Sequence, residues 1–431
     1  MKSDLIEKGE VFRKLKVDVP AEAVAAEYER AYARLSKNAN LPGFRKGKVP
    51  RAILEKQMGP SLQQEVLDGL LPQATFDAVK QHDLKAVGRP RIDSVDFDGK
   101  GPLSFTAHVE VKPEFKLASG IEGLALSAFS AAVADAEVDE QVRMLRERAA
   151  KPGASLERPA AKGDQLLVDF EGKVDGQPFP GGSAQGYTLA LGRNQLIPGF
   201  EEQLEGSKAG DTREVKVTFP ADYPAQDVAG KAAIFTVQVK EAKALELPAA
   251  DDEFAKTLGT DVKDLAYLKD RLREALQTQK ERARKNQLSE AAAGALIEKH
   301  SFPVPAALVQ SELDAMLQQE LAGMQSRGME VSGGDQGLRS LRQAMQPGAE
   351  KRARLSLVLE AIADQQKLEV SDADFEAEMA RFAPQLGTDA AGALRWARQN
   401  NRERNIRERQ REQKALEWVI ERAKISEQTK K

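Results

Sequence analysis

The 431-residue chain contains no cysteine and only three histidines, His82, His108 and His300. Disulfides and thiolate metal sites are therefore excluded, and the histidines are too far apart in sequence to read as paired ligands. No apolar run approaches the ~18 residues that a membrane-spanning helix requires. The first residues also lack the apolar stretch of a secretory signal. The sequence thus predicts a soluble, cytoplasmic protein that needs no metal or other cofactor.

Aromatic residues make up only 5% of the chain, and the net charge is −3. A nearly neutral chain is not attracted to nucleic acid along its whole length, so any contact with a polyanion has to be local. Ala, Glu, Gln, Lys and Arg are plentiful, which favours helices over large aromatic cores. The length predicts two to four domains.

A basic loop at residues 41–50 is the most informative segment. It contains two Gly and two Pro, which favour a tight turn because Gly permits positive φ and Pro fixes its own φ. Three cations surround one aromatic ring, so the loop can bind phosphates while the ring stacks or wedges beside them. A basic loop alone is also typical of ordinary solvated surface. The candidate binding residues are Gly43, Phe44, Arg45, Lys46, Gly47 and Lys48.

The first block of the chain, residues 1–112, has the pattern of a small α+β domain. Leu15, Val17 and Val19 alternate with polar residues, as in a half-buried strand. A helical stripe follows, and two further helices are predicted on either side of a break at residues 59–61. Strands are predicted at 86–92 and 103–111, and a helix capped by Asp135 comes after them.

Residues 160–245 change to short strands separated by Gly and Pro turns. The strings VDFEG at 168–172, IPGFEEQLEG at 197–206 and VTFPADY at 217–223 resemble an FKBP-type prolyl isomerase. That resemblance implies a bent antiparallel sheet that wraps a short helix, with an aromatic pocket between them. The pocket residues that it implies are Phe170, Phe179, Ile197, Phe200, Tyr223 and Phe235.

The resemblance also assigns roles within this pocket. Phe200 would form the floor, Tyr223 would offer its hydroxyl to a substrate carbonyl, and Ile197 would present its backbone N–H. Phe170 and Phe235 lie in strands and equally fit the core of a small β domain. Pro180 departs from the family, because many relatives carry an acid there; we expect weaker isomerase activity or an altered preference.

Apolar residues recur at helical spacing from residue 247 onward. Ser371 with Asp374 has the signature of a capping box. The apolar stripes either pack on each other or partly line an open cradle, in which Met316, Met324, Met329 and Met345 would adapt to client polypeptides. Helices are predicted at 261–299, 304–326, 335–366, 371–382, 389–400 and 402–425.

The order of these blocks resembles the trigger factor family of bacterial chaperones over essentially the whole chain. The resemblance implies an α+β multidomain fold with an N-terminal α+β ribosome-binding module, an FKBP-like antiparallel β insert and an elongated all-α C-terminal domain with arms. The implied domains are residues 1–112, a connector at 113–159 that packs with the C-terminal helices, the insert at 160–245, and the helical domain at 246–431.

The family further implies an ATP-independent chaperone that shelters nascent and unfolded polypeptides and isomerises X–Pro bonds. Its partners would be protein and rRNA of the large ribosomal subunit near the exit tunnel, reached by residues 43–48. No nucleotide-binding motif is visible. No membrane partner is expected. Exposed helical arms are compatible with a homodimer of the free protein, although the sequence does not decide between monomer and dimer.

Two other functions fit parts of the same pattern. The chain could function mainly as an isomerase, with flanking domains that only recruit its substrates. It could also be an envelope chaperone that combines isomerase and helical parts, although the missing signal segment argues against an envelope location. Charge reversal in the basic loop, cellular fractionation and loss of the aromatic pocket would separate these functions.

Overall fold

The computed structural model describes residues 1–38, 51–99, 101–193, 195–220, 223, 225, 227–329 and 331–428. The predicted ribosome-binding residues Gly43, Phe44, Arg45, Lys46, Gly47 and Lys48 lie outside these ranges. The chain divides into two compact units. One is the continuous segment Ala131–Ala283, and the other combines Met1–Ser130 with Arg284–Lys431.

The N-terminal block forms a four-stranded antiparallel sheet covered by two helices. The predicted strand of Leu15, Val17 and Val19 is confirmed, and all three side chains are buried on one face of the sheet. Apolar residues of both helices cover that face, so each element buries its apolar side. The elements are β1 (Lys2–Lys8), β2 (Phe12–Val19), α1 (Ala21–Asn38), α2 (Arg51–Gln81), β3 (Arg91–Asp96) and β4 (Leu103–Glu110), with sheet order β1-β2-β4-β3.

The predicted break between two helices lies at Met58, where φ −124° and ψ 17° are not helical, one residue before the predicted 59–61. Pro60 follows in the first turn of the second helical part, where its missing N–H costs no helical hydrogen bond, and the two parts together are α2. The next strand differs from the prediction. The strand expected at 86–92 begins only at Arg91, because Gly88 turns the chain at φ +68°.

Residues 113–155 contribute short elements to both units. They form β5 (Ala125–Phe129), α3 (Asp135–Arg148) and β6 (Lys151–Ser155). The cap of α3 is Ala134, one residue before the predicted Asp135. The Ala134 N–H donates to the Glu137 carboxylate at 2.9 Å, which satisfies a donor that the helix itself leaves unpaired.

The continuous unit is built around a five-stranded antiparallel sheet. Its long strands are β7 (Asp164–Val174), β8 (Gln177–Ala190) and β10 (Ala232–Glu246), and β9 (Thr212–Thr218) also pairs with β10. The order is β6-β10-β7-β8. The short helix implied by the FKBP resemblance is a single 3-10 turn, Glu202–Leu204, that follows the loop after β8. The strands contribute fully buried side chains to one apolar core, among them Leu166, Val168, Leu189, Val215 and Val237.

Helices dominate the chain from residue 252 onward. They are α4 (Asp252–Thr257), α5 (Leu265–Lys299), α6 (Ala306–Ser326), α7 (Gly334–Gln365), α8 (Asp372–Phe382), α9 (Ala390–Gln399) and α10 (Glu403–Glu421), with a 3-10 turn at Ala383–Leu386. Helix α10 ends four residues earlier than predicted, and the chain then forms β11 (Lys424–Gln428), which pairs in parallel with β5. Leu296, Val358, Ile362 and Val419 pack around this strand pair.

The predicted capping box at the start of α8 is confirmed. The Asp374 N–H donates to the Ser371 hydroxyl oxygen at 3.2 Å, and the Ser371 N–H donates to the Asp374 carboxylate at 2.9 Å. Among the helices that the structure describes, none has both the length and the apolar content needed to cross a membrane.

Candidate functional site

All six predicted pocket residues line one cavity in the continuous unit. Its volume is about 310 Å³. Phe170 comes from β7, Phe179 from β8 and Phe235 from β10, whereas Ile197, Phe200 and Tyr223 come from the loops on either side of β9. The bend of the sheet therefore brings together side chains that are up to 65 residues apart in sequence. Within this unit, the sequence prediction of which residues would meet agrees with the observed geometry.

The aromatic rings pack edge to face throughout the cavity wall. The ring centroids of Phe200 and Phe235 are 5.2 Å apart, and both rings lie 6.0 Å from that of Phe170. The Phe179 ring contacts Phe235 at 6.1 Å with an interplanar angle of 89°. Such contacts each contribute about 0.5–1.5 kcal/mol beyond burial of area. The wall is therefore preformed and does not need a ligand to assemble it.

The lining side chains differ in exposure between the floor of the cavity and its rim. Phe200 and Phe235 are 2% and 4% exposed, so both rings lie in the core. Tyr223 is 38% exposed, and its ring packs on Phe219 with centroids 4.8 Å apart. Phe170 and Phe179 are half-buried between these levels. The cavity therefore has an apolar floor and a single phenol at the mouth.

Two of the polar donors at this apolar cavity are at positions predicted from the sequence. Within the described part of the chain, neither the Ile197 N–H nor the Tyr223 hydroxyl has a hydrogen-bond partner. The Ile197 carbonyl is occupied, because it accepts from the Phe200 N–H at 3.0 Å. A carbonyl group that enters the cavity can therefore find a backbone donor on one side and a phenol on the other.

The strand that carries Phe170 is fixed by charges on its opposite face. Asp169 accepts from the Gly186 N–H at 2.6 Å, and its other carboxylate oxygen is 2.6 Å from the Lys240 ammonium nitrogen. The Lys240 ammonium and then the Gly186 N–H hold the pKa of Asp169 below its usual range. These contacts link β7 to β8 and β10 directly behind the cavity.

Sequence reasoning missed part of the wall. Phe219 is buried and contacts both Phe179 and Tyr223, with ring centroids 5.7 Å and 4.8 Å away. Its signal was present, because Phe219 continues the alternation of the buried Val215 and Val217. The other missed lining residues are Gly181, Gln195, Leu196, Pro198 and Pro220. Pro180 is exposed on β8 and is not among the described lining residues.

The cavity has the features needed to accelerate rotation about an X–Pro bond. The barrier of ~18–20 kcal/mol arises from amide resonance, which is lost when the amide twists. An apolar, water-poor wall favours the less polar twisted form, and fixed donors hold its carbonyl. Aromatic faces bind the proline ring. Each ~1.4 kcal/mol removed from the barrier raises the rate tenfold.

Comparison with known proteins identifies the chain. The family models for bacterial trigger factor protein match residues 1–145 and, for its C-terminus, 264–421, and the model for FKBP-type peptidyl-prolyl cis-trans isomerase matches 157–240. Trigger factor of Geobacillus thermodenitrificans is 41% identical over 380 residues, which are 86% of this chain and 87% of that protein. Trigger factor of Halalkalibacterium halodurans is 38% identical over 419 residues, 95% and 96% of the two chains.

The chain belongs to the trigger factor family. Membership makes it a ribosome-associated chaperone with an FKBP-type isomerase domain. A solved structure of the trigger factor chaperone, described by its promiscuous substrate recognition in folding and assembly, has the same fold, with a TM-score of 0.51 at 21% identity over 98% of this chain and 99% of that one. Trigger factor relatives match the flanking domains as well as the insert, which disfavours the stand-alone isomerase.

Proposed function

We propose that the 310 Å³ cavity is the site at which this protein isomerises X–Pro bonds. Phe200 forms the floor beneath the proline ring, and Phe170, Phe179 and Phe235 form the walls. The Ile197 N–H and the Tyr223 hydroxyl donate to the carbonyl of the twisted amide. The observation that carries this proposal is the convergence of these six residues on one apolar cavity with two unpaired donors.

Replacing the floor tests this site. Burying a Phe side chain is worth about 1.5–3 kcal/mol, so Phe200→Ala should lower kcat/KM for an X–Pro peptide roughly 10- to 100-fold. Phe76→Ala is the matched control, since Phe76 is 64% exposed on α2, far along the chain from the cavity. Activity that survives Phe200→Ala in a folded protein would remove the cavity from the mechanism.

The same variant separates chaperone function from catalysis. We propose that clients contact the half-buried apolar residues of α6 and α7, among them Leu308, Met316, Leu321 and Met345. Phe200→Ala should then still prevent aggregation of an unfolded client. Parallel loss of both functions would favour an enzyme whose flanking domains only recruit substrates.

We propose that Gly43, Phe44, Arg45, Lys46, Gly47 and Lys48 bind the ribosome near the exit tunnel. Support comes from the family match, which includes this segment within residues 1–145, and from the sequence, in which three cations closely follow Phe44. Phosphate contacts of this kind weaken as salt rises. The reversal Arg45→Glu with Lys46→Glu should therefore abolish salt-sensitive co-sedimentation with ribosomes.

A second adjacent pair of cations provides the control for this experiment. Lys351 and Arg352 are exposed on α7, so Lys351→Glu with Arg352→Glu makes the same change in charge elsewhere. Equal loss of pelleting in both double variants would indicate that net charge, and not the loop, determines binding.

Location, assembly and domain bounds complete the proposal. We propose that the protein acts in the cytoplasm on nascent and unfolded polypeptides and that it forms a homodimer when it is off the ribosome. The proposed domains are residues 1–112, 113–159, 160–245 and 246–431. Fractionation tests the location, and sedimentation of the free protein over a concentration range tests the dimer.

A further inference from the structure

One charged side chain behind the isomerase cavity has no role in the mechanism above. Glu201 is 4% exposed, although it follows the floor residue Phe200 directly in the sequence. A carboxylate in such a core is costly unless it is well hydrogen-bonded. Glu201 does not line the cavity, so it does not touch a bound substrate.

The carboxylate of Glu201 binds the loop that forms one side of the cavity. One oxygen accepts from the Gly192 N–H at 2.8 Å, and the other accepts from the Gln195 N–H at 2.5 Å. Both donors lie in the loop between β8 and the 3-10 turn, where no strand or helix fixes the backbone. Hydrogen bonds to a charged acceptor are short and roughly twice as strong as neutral ones.

The restrained loop leads directly to the unpaired donor. Gln195, Leu196 and Ile197 all line the cavity, and only one residue separates the Gln195 N–H from that of Ile197. The Ile197 carbonyl is bound to the Phe200 N–H, one residue before Glu201. The backbone around Ile197 is therefore held on both sides by groups at positions 200 and 201.

We propose that Glu201 is a positioning residue for isomerisation, which aims the Ile197 N–H at the carbonyl of the twisting amide. It acts through the loop and not by contact with substrate. Donors that are fixed in advance stabilise a transition state because they do not have to reorganise during the reaction. The inference rests on the proposed isomerase site.

The isosteric variant Glu201→Gln tests this role. Its amide group can accept from one N–H but turns an NH2 group toward the other, so the loop loses one hydrogen bond. We expect kcat for an X–Pro peptide to fall roughly tenfold, with KM within about twofold of the wild-type value. The N–H resonances of Gly192, Gln195 and Ile197 should shift, while those of β1 and β2 stay in place.

Glu202→Gln is the matched control, because Glu202 is the exposed neighbouring acid. It should leave kcat and the three resonances unchanged. If Glu201→Gln does not fold, Glu201→Asp replaces it: the charge remains, but the shorter side chain cannot reach both N–H groups, so kcat should again fall.

Three results would overturn the inference. They are a kcat within twofold of wild type in the folded variant, a loss of rate fully explained by weaker peptide binding, and an equal effect of Glu202→Gln. An inactive wild-type protein would instead contradict the proposed function itself. The two failures are therefore distinguishable in one set of assays.

Discussion

The isomerase cavity and the last three helices both have apolar cores, but among their described residues only the helices are also joined by several ion pairs. In the cavity, Phe170, Phe179, Phe200, Phe219 and Phe235 pack edge to face with no charge between them. The C-terminal helices bury an apolar cluster that includes Phe375, Met379, Ala393 and Ala397, and they are also joined by ion pairs. Two of these pairs link α10 to α8, namely Arg407 with Asp372 at 2.6 Å and Lys414 with Asp374 at 2.7 Å.

This difference predicts different responses to the solution. Apolar contacts are almost insensitive to salt and pH, whereas exposed ion pairs are screened by salt and weakened when their carboxylates are protonated. A rigid aromatic wall suits a site that must hold one geometry. Helices joined by half-exposed charges open at lower cost when those charges are screened.

The largest expected effect is on the aromatic wall. Phe235→Ala removes a ring that touches Phe170, Phe179 and Phe200, and should lower the free energy of unfolding of the isomerase domain by about 3–5 kcal/mol. Hydrogen exchange measured by mass spectrometry should show faster opening of β7 and β10 and no change in α8–α10. Equal destabilisation of both regions would mean that they unfold as one cooperative unit.

A smaller effect is expected at the start of α8. Ser371→Ala removes the hydroxyl that caps the helix and should cost about 1 kcal/mol, seen as faster exchange in α8 but not in the isomerase sheet. Ser332→Ala is the control, because Ser332 is an exposed residue outside any helix. If both variants behave alike, the capping box contributes nothing to stability.

The smallest effect depends on pH. Burial raises the pKa of Glu412, the Ser356 hydroxyl at 2.6 Å opposes this, and the charges of Glu312 and Glu360 raise the pKa further. The folded state therefore favours protonated Glu412. Stability is lost as the pH rises from the ordinary Glu pKa to the raised one, and the loss is complete above the raised pKa. Glu412→Gln should increase Tm at pH 7.

This gain should disappear as the pH falls below about 4, where Glu is protonated in the unfolded chain as well. The contribution of Asp374 to stability should depend on pH in the opposite direction. Hydrogen bonds from Lys414 and Ser371 lower its pKa, so its contribution is lost as pH falls below about 4. Glu376→Gln, at an exposed acid of α8, is the control and should leave Tm unchanged at both pH values.

Local patterns in the sequence predicted most of the helices, whereas the resemblance to an FKBP-type isomerase predicted the residues of the cavity. Leu15, Val17 and Val19 follow the period of a strand, and Ser371 with Asp374 indicates a helix start, because both signals depend on neighbours in sequence. Phe200 and Tyr223 could be predicted because they lie in the strings IPGFEEQLEG and VTFPADY, which resemble FKBP-type isomerases.

Features that depend on distant contacts were not predictable in this way. Glu201 and Glu202 are chemically identical neighbours, and only the path of the loop at Gly192 and Gln195 decides which of them is buried. The residues of β11 continue a charged helical pattern, and their strand conformation depends on pairing with β5. Tertiary contacts override local propensity at such positions.

The pairing of β5 with β11 determines the order in which parts of the chain can fold during translation. The Ser426 hydroxyl donates to the Leu126 carbonyl, a contact between residues 300 positions apart. On a translating ribosome, Leu126 emerges long before its partner exists, while the whole of Ala131–Ala283 is made in between. The continuous unit can fold early, because all of its residues are made before the last third of the chain. The apolar residues around β5 can be covered only when β11 has been made. During most of its own synthesis, each new chain therefore exposes apolar surface of the kind that a chaperone binds.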